Sequence, residues 1–458
     1  MKINNIIFKN LSYAFTSNII VLLVSSFITL ILPKIIGVEN FSYWQLYLLY
    51  STYTAFFHLG WNDGIYLELG GENYDDIRKK NLFSQFYLLI LLNIVLVIIV
   101  NLASNFFMLD VEKLLVLRLM TISTLLTIPR GFLTSILQAT NRIKENSLVT
   151  SLEKISFIIL LIFLIVFFRN KVNFKSIIIL DIISKLISFI YATYFCKEIV
   201  FEKVKYFSLP FSNIFKNISS GIQISMSYIA STLIVNVIRM YIIASWNILV
   251  FGQISLILSL SNLVTVFVNS IGMVIFPIVK KKQESELSQF YQIFRSKFTN
   301  LSLLGLLLFF PIKSIMDIWL PSYSEGLKFL IVLFPLCIFD GKMSMIFITF
   351  FKSMRKETTL LVINISTVIL SILLGYLSAY VIKNLFLSVL VILIVLIFRS
   401  IVSEIYLSKL LSVSTFKNIA LELIFIVWFM LLGLNFSLVN GFLLYLFTMI
   451  IYFFSRKI

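Results

Sequence analysis

Apolar windows long enough to cross a bilayer follow one another from Leu11 to Phe454, separated only by short polar breaks. A helix needs about 20 apolar residues to cross the hydrocarbon core. With 60% of its 458 residues hydrophobic and only 13% charged, the chain is too apolar to present a water-facing surface. It therefore reads as an all-α, polytopic membrane protein with no soluble domain left over. The windows fall at 11–33, 41–60, 82–103, 111–137, 148–168, 175–196, 217–240, 248–278, 296–316, 326–351, 358–381, 384–410, 418–434 and 438–454, about fourteen transmembrane helices in all. Lys2 and Lys9 precede a first run too long for a signal-peptide core, with no cleavage site after it, so that run is expected to be a retained span.

The formal charge of +17 has a topological reading. Membrane proteins concentrate Lys and Arg in cytoplasmic loops. With the N-terminus inside, most of the 38 basic residues fall on that side: Lys2 and Lys9, the segments Arg78 to Lys80, Arg142 and Lys144, Lys197 to Lys216, Lys280 to Lys297, and Lys352 to Lys356, then Lys409 and Lys417, and Arg456 and Lys457. Few fall on the other side, among them Lys34, Lys113, Lys313 and Lys383. Both termini are expected in the cytoplasm, and no nucleic-acid partner is needed to explain the charge. Cys196 and Cys337 sit in apolar runs and match no metal or redox spacing.

Two stretches share a rhythm: PRGFLTSILQATNRIKENSL from Pro129 and GKMSMIFITFFKSMRKETTL from Gly341, with Arg130 opposite Lys342 and Lys144 opposite Lys356. NFSYWQLYLLYSTYTAFF from Asn40 faces VFGQISLILSLSNLVTVF from Val250 at nearly the same spacing. The expectation is two six-helix bundles in parallel pseudo-repeat, 1–205 and 206–412, with two extra C-terminal helices in 413–458. Such repeats are a transporter architecture that holds its site between the halves.

Charged side chains inside a bilayer cost roughly 2.5–3.5 kcal/mol each and usually face a cavity or a partner. Here they include Arg118, Arg130, Arg239, Lys342 and Arg399 as candidate cavity cations, and Asp181, Asp340 and Glu404 as candidates for ion coupling, with Lys185 and Glu422 besides. Asp181 and Lys185, four apart on one helix, can satisfy each other, and Arg399 can pair with Glu404 or reach the membrane edge. Arg130 and Lys342 either face a cavity or lie in salt bridges inside a bundle. An unneutralised cationic cavity suits a phosphorylated or diphosphorylated lipid, because guanidinium grips phosphate with two prongs and keeps its charge. The single histidine rules out a multi-histidine metal site, and neither a phosphate-binding glycine loop nor a G-x-S-x-G elbow is present.

The stretch FFHLGWNDGIYLELGG, from Phe56, follows the second window. Gly60 is placed to end a helix in a left-handed turn, and Asn62, Asp63 and Gly64 to make a tight turn before the short segment Ile65 to Leu69. His58, Gly60, Asp63 and Gly64 are expected to form a hinge and inward gate, with His58 structural rather than catalytic.

LPKIIGVENFSYWQLYLLYSTYTAFFHLGWNDGIYLELGG at 32–71, the paired LQATNRIKE and FKSMRKE, and the twelve-plus-two layout resemble bacterial polysaccharide biosynthesis proteins. These are the O-antigen and capsule flippases of the multidrug/oligosaccharidyl-lipid/polysaccharide exporter superfamily. The resemblance covers nearly the whole chain, with the motifs concentrated in its first hundred residues or so. It implies translocation of an undecaprenyl-diphosphate-linked oligosaccharide between the leaflets of the bacterial inner membrane. No ATP site is visible in the sequence, so a sodium or proton gradient and no bound cofactor is the expectation, with polymerase and chain-length proteins as expected partners beside the membrane lipids. The lipid II flippases of that superfamily carry arginines in their first two spans, where this chain has none, so their binding residues are not carried over. Tyr43, Trp44, Tyr47, Tyr50 and Tyr53 either stack on sugar rings or pack. A multidrug antiporter of the same fold and a membrane-embedded glycan polymerase are the competing functions.

Overall fold

Away from water the α-helix satisfies every backbone N–H and C=O within its own segment, so each apolar window folds as one. The computed structural model describes residues 2–106, 110–263 and 284–455, and among these it consists of helices, turns and loops. In chain order they are α1 Lys2–Leu30, α2 Leu32–Ser51, α3 Trp61–Glu68, α4 Lys79–Ser104, α5 Val111–Ala139, α6 Ile143–Phe167, α7 Phe174–Phe195, the single turn α8 Lys197–Val200, and α9 Phe211–Ser245. The second half holds α10 Ile248–Leu263, α11 Glu284–Gly305, α12 Phe309–Trp319, the short α13 Ser324–Leu327, α14 Leu330–Leu333, α15 Leu336–Lys342 and α16 Ile348–Ser353, then α17 Glu357–Tyr376, α18 Leu385–Leu410, α19 Phe416–Asn435 and α20 Leu438–Ser455.

Nine helical runs among the described residues are long and apolar enough to cross a bilayer, or ten with the pair α1 and α2, which bend by 73° at their junction. The more polar α5 covers the window 111–137 and the shorter α20 covers 438–454. The window 248–278 begins in α10 and continues outside the described residues. The basic pair Arg456 and Lys457 also lies outside them. Burial separates lipid-facing helices from core ones. In α4 only 22% of the most apolar stretch is buried, against 78% in Leu330–Ser353, which is enclosed on nearly every side.

The chain divides into two compact units, Met1–Thr232 and Leu233–Ile458, the division falling inside α9. In the first unit α6 packs against α1 and α7, and α5 against α4, α7 and α3. In the second, α18 packs against α17, α15 and α14. The segment expected as two extra helices is built into this second unit. Phe429 of α19 meets Phe309 at 5.3 Å between ring centroids, and Tyr445 of α20 donates to the Leu303 carbonyl at 3.1 Å.

The two stretches that align in sequence end in the same turn. After α5, Asn141 takes a left-handed conformation (φ 60°) and the Arg142 N–H bonds the Leu137 carbonyl at 2.8 Å. After α16, Arg355 does so (φ 55°) and the Lys356 N–H bonds the Phe351 carbonyl, again at 2.8 Å. Both are helix stops of the Schellman type. They pair Arg142, not Lys144, with Lys356; the π-helical turn Met343–Phe347 disturbs the register upstream.

The turn expected at Asn62, Asp63 and Gly64 is instead the first turn of α3. The left-handed break comes one step earlier: the 3₁₀ helix Thr52–His58 ends at Leu59 (φ 51°) and Gly60 (φ 83°), both left-handed. His58 Nδ1 accepts the Gly60 N–H at 3.2 Å, which gives the ring a local structural task.

Candidate functional site

In the first unit, Arg130 follows Pro129 inside α5, where the missing proline N–H loosens the helix ladder. Its guanidinium forms an ion pair with Glu153 of α6 and donates to Ser188 Oγ of α7 at 3.2 Å. Glu153, which the sequence places close to an edge, is 5% exposed and also accepts from Lys154 at 2.8 Å. A helix turn away, Lys185 meets Asp181 at 2.7 Å, as the i, i+4 spacing predicts. The pair does not close on itself. Tyr47 Oη of α2 donates to Asp181 at 2.5 Å, and Lys185 donates to Tyr47 Oη at 3.1 Å and to Ser123 Oγ of α5 at 2.8 Å. Four helices are thus tied by a buried polar band in which Arg130, Lys154 and Lys185 outnumber Glu153 and Asp181. Trp44 stacks on Phe157 at 5.7 Å and Tyr43 lies 4.7 Å from Phe174, so these two window-2 aromatics pack inside the unit.

The second unit encloses a ring of four charges. Arg295 Nε donates to Glu404 at 2.7 Å and its Nη2 to Glu422 at 3.3 Å. Lys342 Nζ donates to Glu404 at 2.5 Å and to Glu422 at 2.8 Å. All four residues are at most 3% exposed. Lys342, expected among the cavity cations, is therefore sealed and neutralised, because α18 and α19 each bring a carboxylate to it. Glu404 is held the same way, between Arg295 and Lys342. Arg399, 5% exposed, donates to Asn364 Oδ1 at 2.9 Å and lies within the electrostatic reach of Asp340. Arg295 had been expected in a cytoplasmic loop; it lies within α11. The missed signal is the spacing Tyr291, Arg295, Thr299, one stripe of a helix.

Arg239 has a different setting. Its guanidinium donates to Asn236 at 3.2 Å and Ser255 at 2.9 Å and lies 5.1 Å from the Phe251 ring. It borders a cavity of about 110 Å³ whose polar lining is Asn236, Ser261, Asn262 and Asp340. Arg118 is exposed, toward the N-terminal end of α5, and donates to Asn105 at 2.9 Å. The candidate cations thus separate into a paired one (Arg130), a sealed one (Lys342), a buried one on an amide (Arg399), one near a helix end (Arg118), and one beside a polar cavity (Arg239).

Comparison with known proteins places this architecture. The fold resembles an inward-facing multidrug resistance MATE family transporter of the MOP superfamily, with a TM-score of 0.68, 12% identity, and coverage of 85% of this chain and 94% of that one. It also resembles the lipid II flippase MurJ in its inward closed conformation, with a TM-score of 0.66, 17% identity, and coverage of 98% and 99%. At these identities the likeness is one of fold. No curated protein sequence matches the chain. The family model described as polysaccharide biosynthesis protein matches residues 7–283, more than half of the sequence, and the chain belongs to that family.

Proposed function

We propose that this protein is a flippase that moves an undecaprenyl-diphosphate-linked oligosaccharide, an O-antigen or capsule repeat unit, from the cytoplasmic to the periplasmic leaflet of the bacterial inner membrane. Family membership supports the polysaccharide assignment over drug export, and the likeness in fold to a lipid II flippase is in keeping with it. The observation that carries the chemistry is Arg239 beside its cavity: a permanent cation with two amides and a hydroxyl around it suits phosphate oxygens in a low-dielectric interior. Asp340, on which the charge of Arg399 acts, is our candidate for the sodium or proton step because it lines that cavity, where Asp181 and Glu404 do not. Alternating access between leaflets, with both termini cytoplasmic, completes the reading, and polymerase and chain-length proteins would take the product.

The test is a leaflet assay. Proteoliposomes holding the purified protein and a fluorescent undecaprenyl-diphosphate glycan are given a proton or a sodium gradient, and label reaching the outer leaflet is quenched. Protein-dependent transfer under one gradient is expected. Equal transfer in protein-free vesicles, or transport of a cationic dye in place of the glycan lipid, would overturn the proposal.

A further inference from the structure

We propose that α3 and the first half of α9 form a releasable clasp, which must open during the transport cycle. Between Asn217 and Ile229, the buried residues of α9 recur strictly every fourth position, Asn217, Gly221, Ser225 and Ile229, while Ile222, Ile224, Met226 and Tyr228 are 42% to 57% exposed. Beside that line Ile218, and one turn earlier Ile214, pack half-buried against the core of the first unit, so this half of the helix is held by a narrow apolar edge and by a line that is mostly polar or glycine. Farther on, in the second unit, the same helix buries Ile234, Ile238 and Ile242 completely. One helix thus has a weakly held first half and a firmly held second half.

The opposing surface is the block that starts at Gly60. Gly60, Gly64 and Glu68 share one face at the same spacing of four. A Cβ on Gly64 would overlap the Asn217 backbone, one on Gly60 would come within 2.5 Å of the Ile222 nitrogen, and one on Gly221 would overlap the Gly60 carbonyl. The two backbones touch with no side chains between them. Hydrogen bonds flank the contact: Ser225 donates to Asp63, and Asn217 donates to Glu68 at 2.7 Å and to Gln85 at 3.2 Å. The other face of α3 is fixed. Trp61 and Ile65 are buried in the core of the first unit with Phe132 and Ile136, Trp61 Nε1 donates to Gln85 at 2.8 Å, and Asn62 donates to the Ile128 carbonyl at 3.2 Å. A seat anchored by apolar burial and facing its partner with glycine and hydrogen bonds can let go: from Gly221 to Ser225 opening it exposes little apolar surface, the half-buried Ile214 and Ile218 lie at the end of the contact, and water replaces the lost hydrogen bonds. Substituting larger side chains into the seat would instead hold it open.

Two experiments test the clasp, the first without any substrate. In protein carrying Cys196→Ala and Cys337→Ala, spin labels are placed at Leu67→Cys and Ile224→Cys, both exposed positions, and their separation is measured in proteoliposomes by pulsed electron resonance. Two distance populations are expected, with Gly221→Leu depleting the shorter one. A single population that Gly221→Leu leaves unmoved overturns the clasp. In the second, Asp63→Cys with Ser225→Cys is oxidised to a disulfide in cells that depend on this chain for surface polysaccharide. Export is expected to stop on oxidation and return on reduction of the same variant. Undiminished export at complete cross-linking overturns the clasp and leaves the flippase reading standing. Two label populations in a wild-type chain that moves no glycan lipid would do the reverse.

Discussion

Lys342 shares its ammonium between Glu404 and Glu422, with Arg295 completing the ring, and the four charges cancel. Removing one partner of such a buried pair leaves an uncompensated charge and costs about 3–5 kcal/mol. Lys342→Met should therefore lower thermal stability in detergent by that amount. Adding Glu422→Gln should recover part of the loss, because the remaining pair, Arg295 with Glu404, is again neutral. A single mutant as stable as wild type would show that water reaches the ring. Cys196 offers a second residue-level test. It is fully buried at the end of α7. Alkylation requires the reagent to reach the sulfur, and structural buried cysteines are inert. Cys196 should stay unalkylated by iodoacetamide at pH 8 in the folded protein and react once the chain is unfolded. Rapid labelling of the native protein would contradict its placement.

The helices were legible because the bilayer leaves an apolar window of twenty residues or so few other ways to satisfy its backbone. Their partners were less so. Arg130 and Glu153 are 23 residues apart, and Arg295 and Glu422 are 127 apart, so nothing local in the sequence joins them. Arg295 was lost among the charges around Lys280 to Lys297, although its stripe with Tyr291 and Thr299 marked a helix face. The same is true of α19, which reads as an apolar appendage with one stray acid until Glu422 is seen inside the second unit. Its burial makes the helix part of that unit's electrostatics. Deleting residues 413–458 would leave Arg295 and Lys342 with one carboxylate between them and uncover Phe309 and Phe310. The truncated chain should fail to accumulate in membranes, measured by quantitative blotting. Accumulation at the full-length level would mean that α19 and α20 contribute no stability.

For the molecule as a whole, the sequence conveyed where charge stays in the membrane, but not which charges are already neutralised. Arg130 and Lys342 align in the repeat, and both proved to lie in ion pairs with carboxylates from other helices. What distinguishes Arg239 is its place against a polar cavity, a property of several helices together that no window of sequence contains. The role proposed for it in glycan export can be separated from a structural one by two substitutions at that one position. Arg239→Ala removes the cation and should abolish surface polysaccharide while the protein remains in the membrane at its usual level. Arg239→Lys keeps the charge but loses the planar two-pronged grip. It should support export at a reduced rate, with the deficit growing as the glycan lipid becomes scarce. If Arg239→Ala cells carry normal polysaccharide, phosphate recognition must be sought elsewhere, first in the band around Lys185, where cations outnumber carboxylates. If both variants fail alike, a charge at this position is not enough, and the geometry of the guanidinium against Asn236 and Ser255 is what export requires.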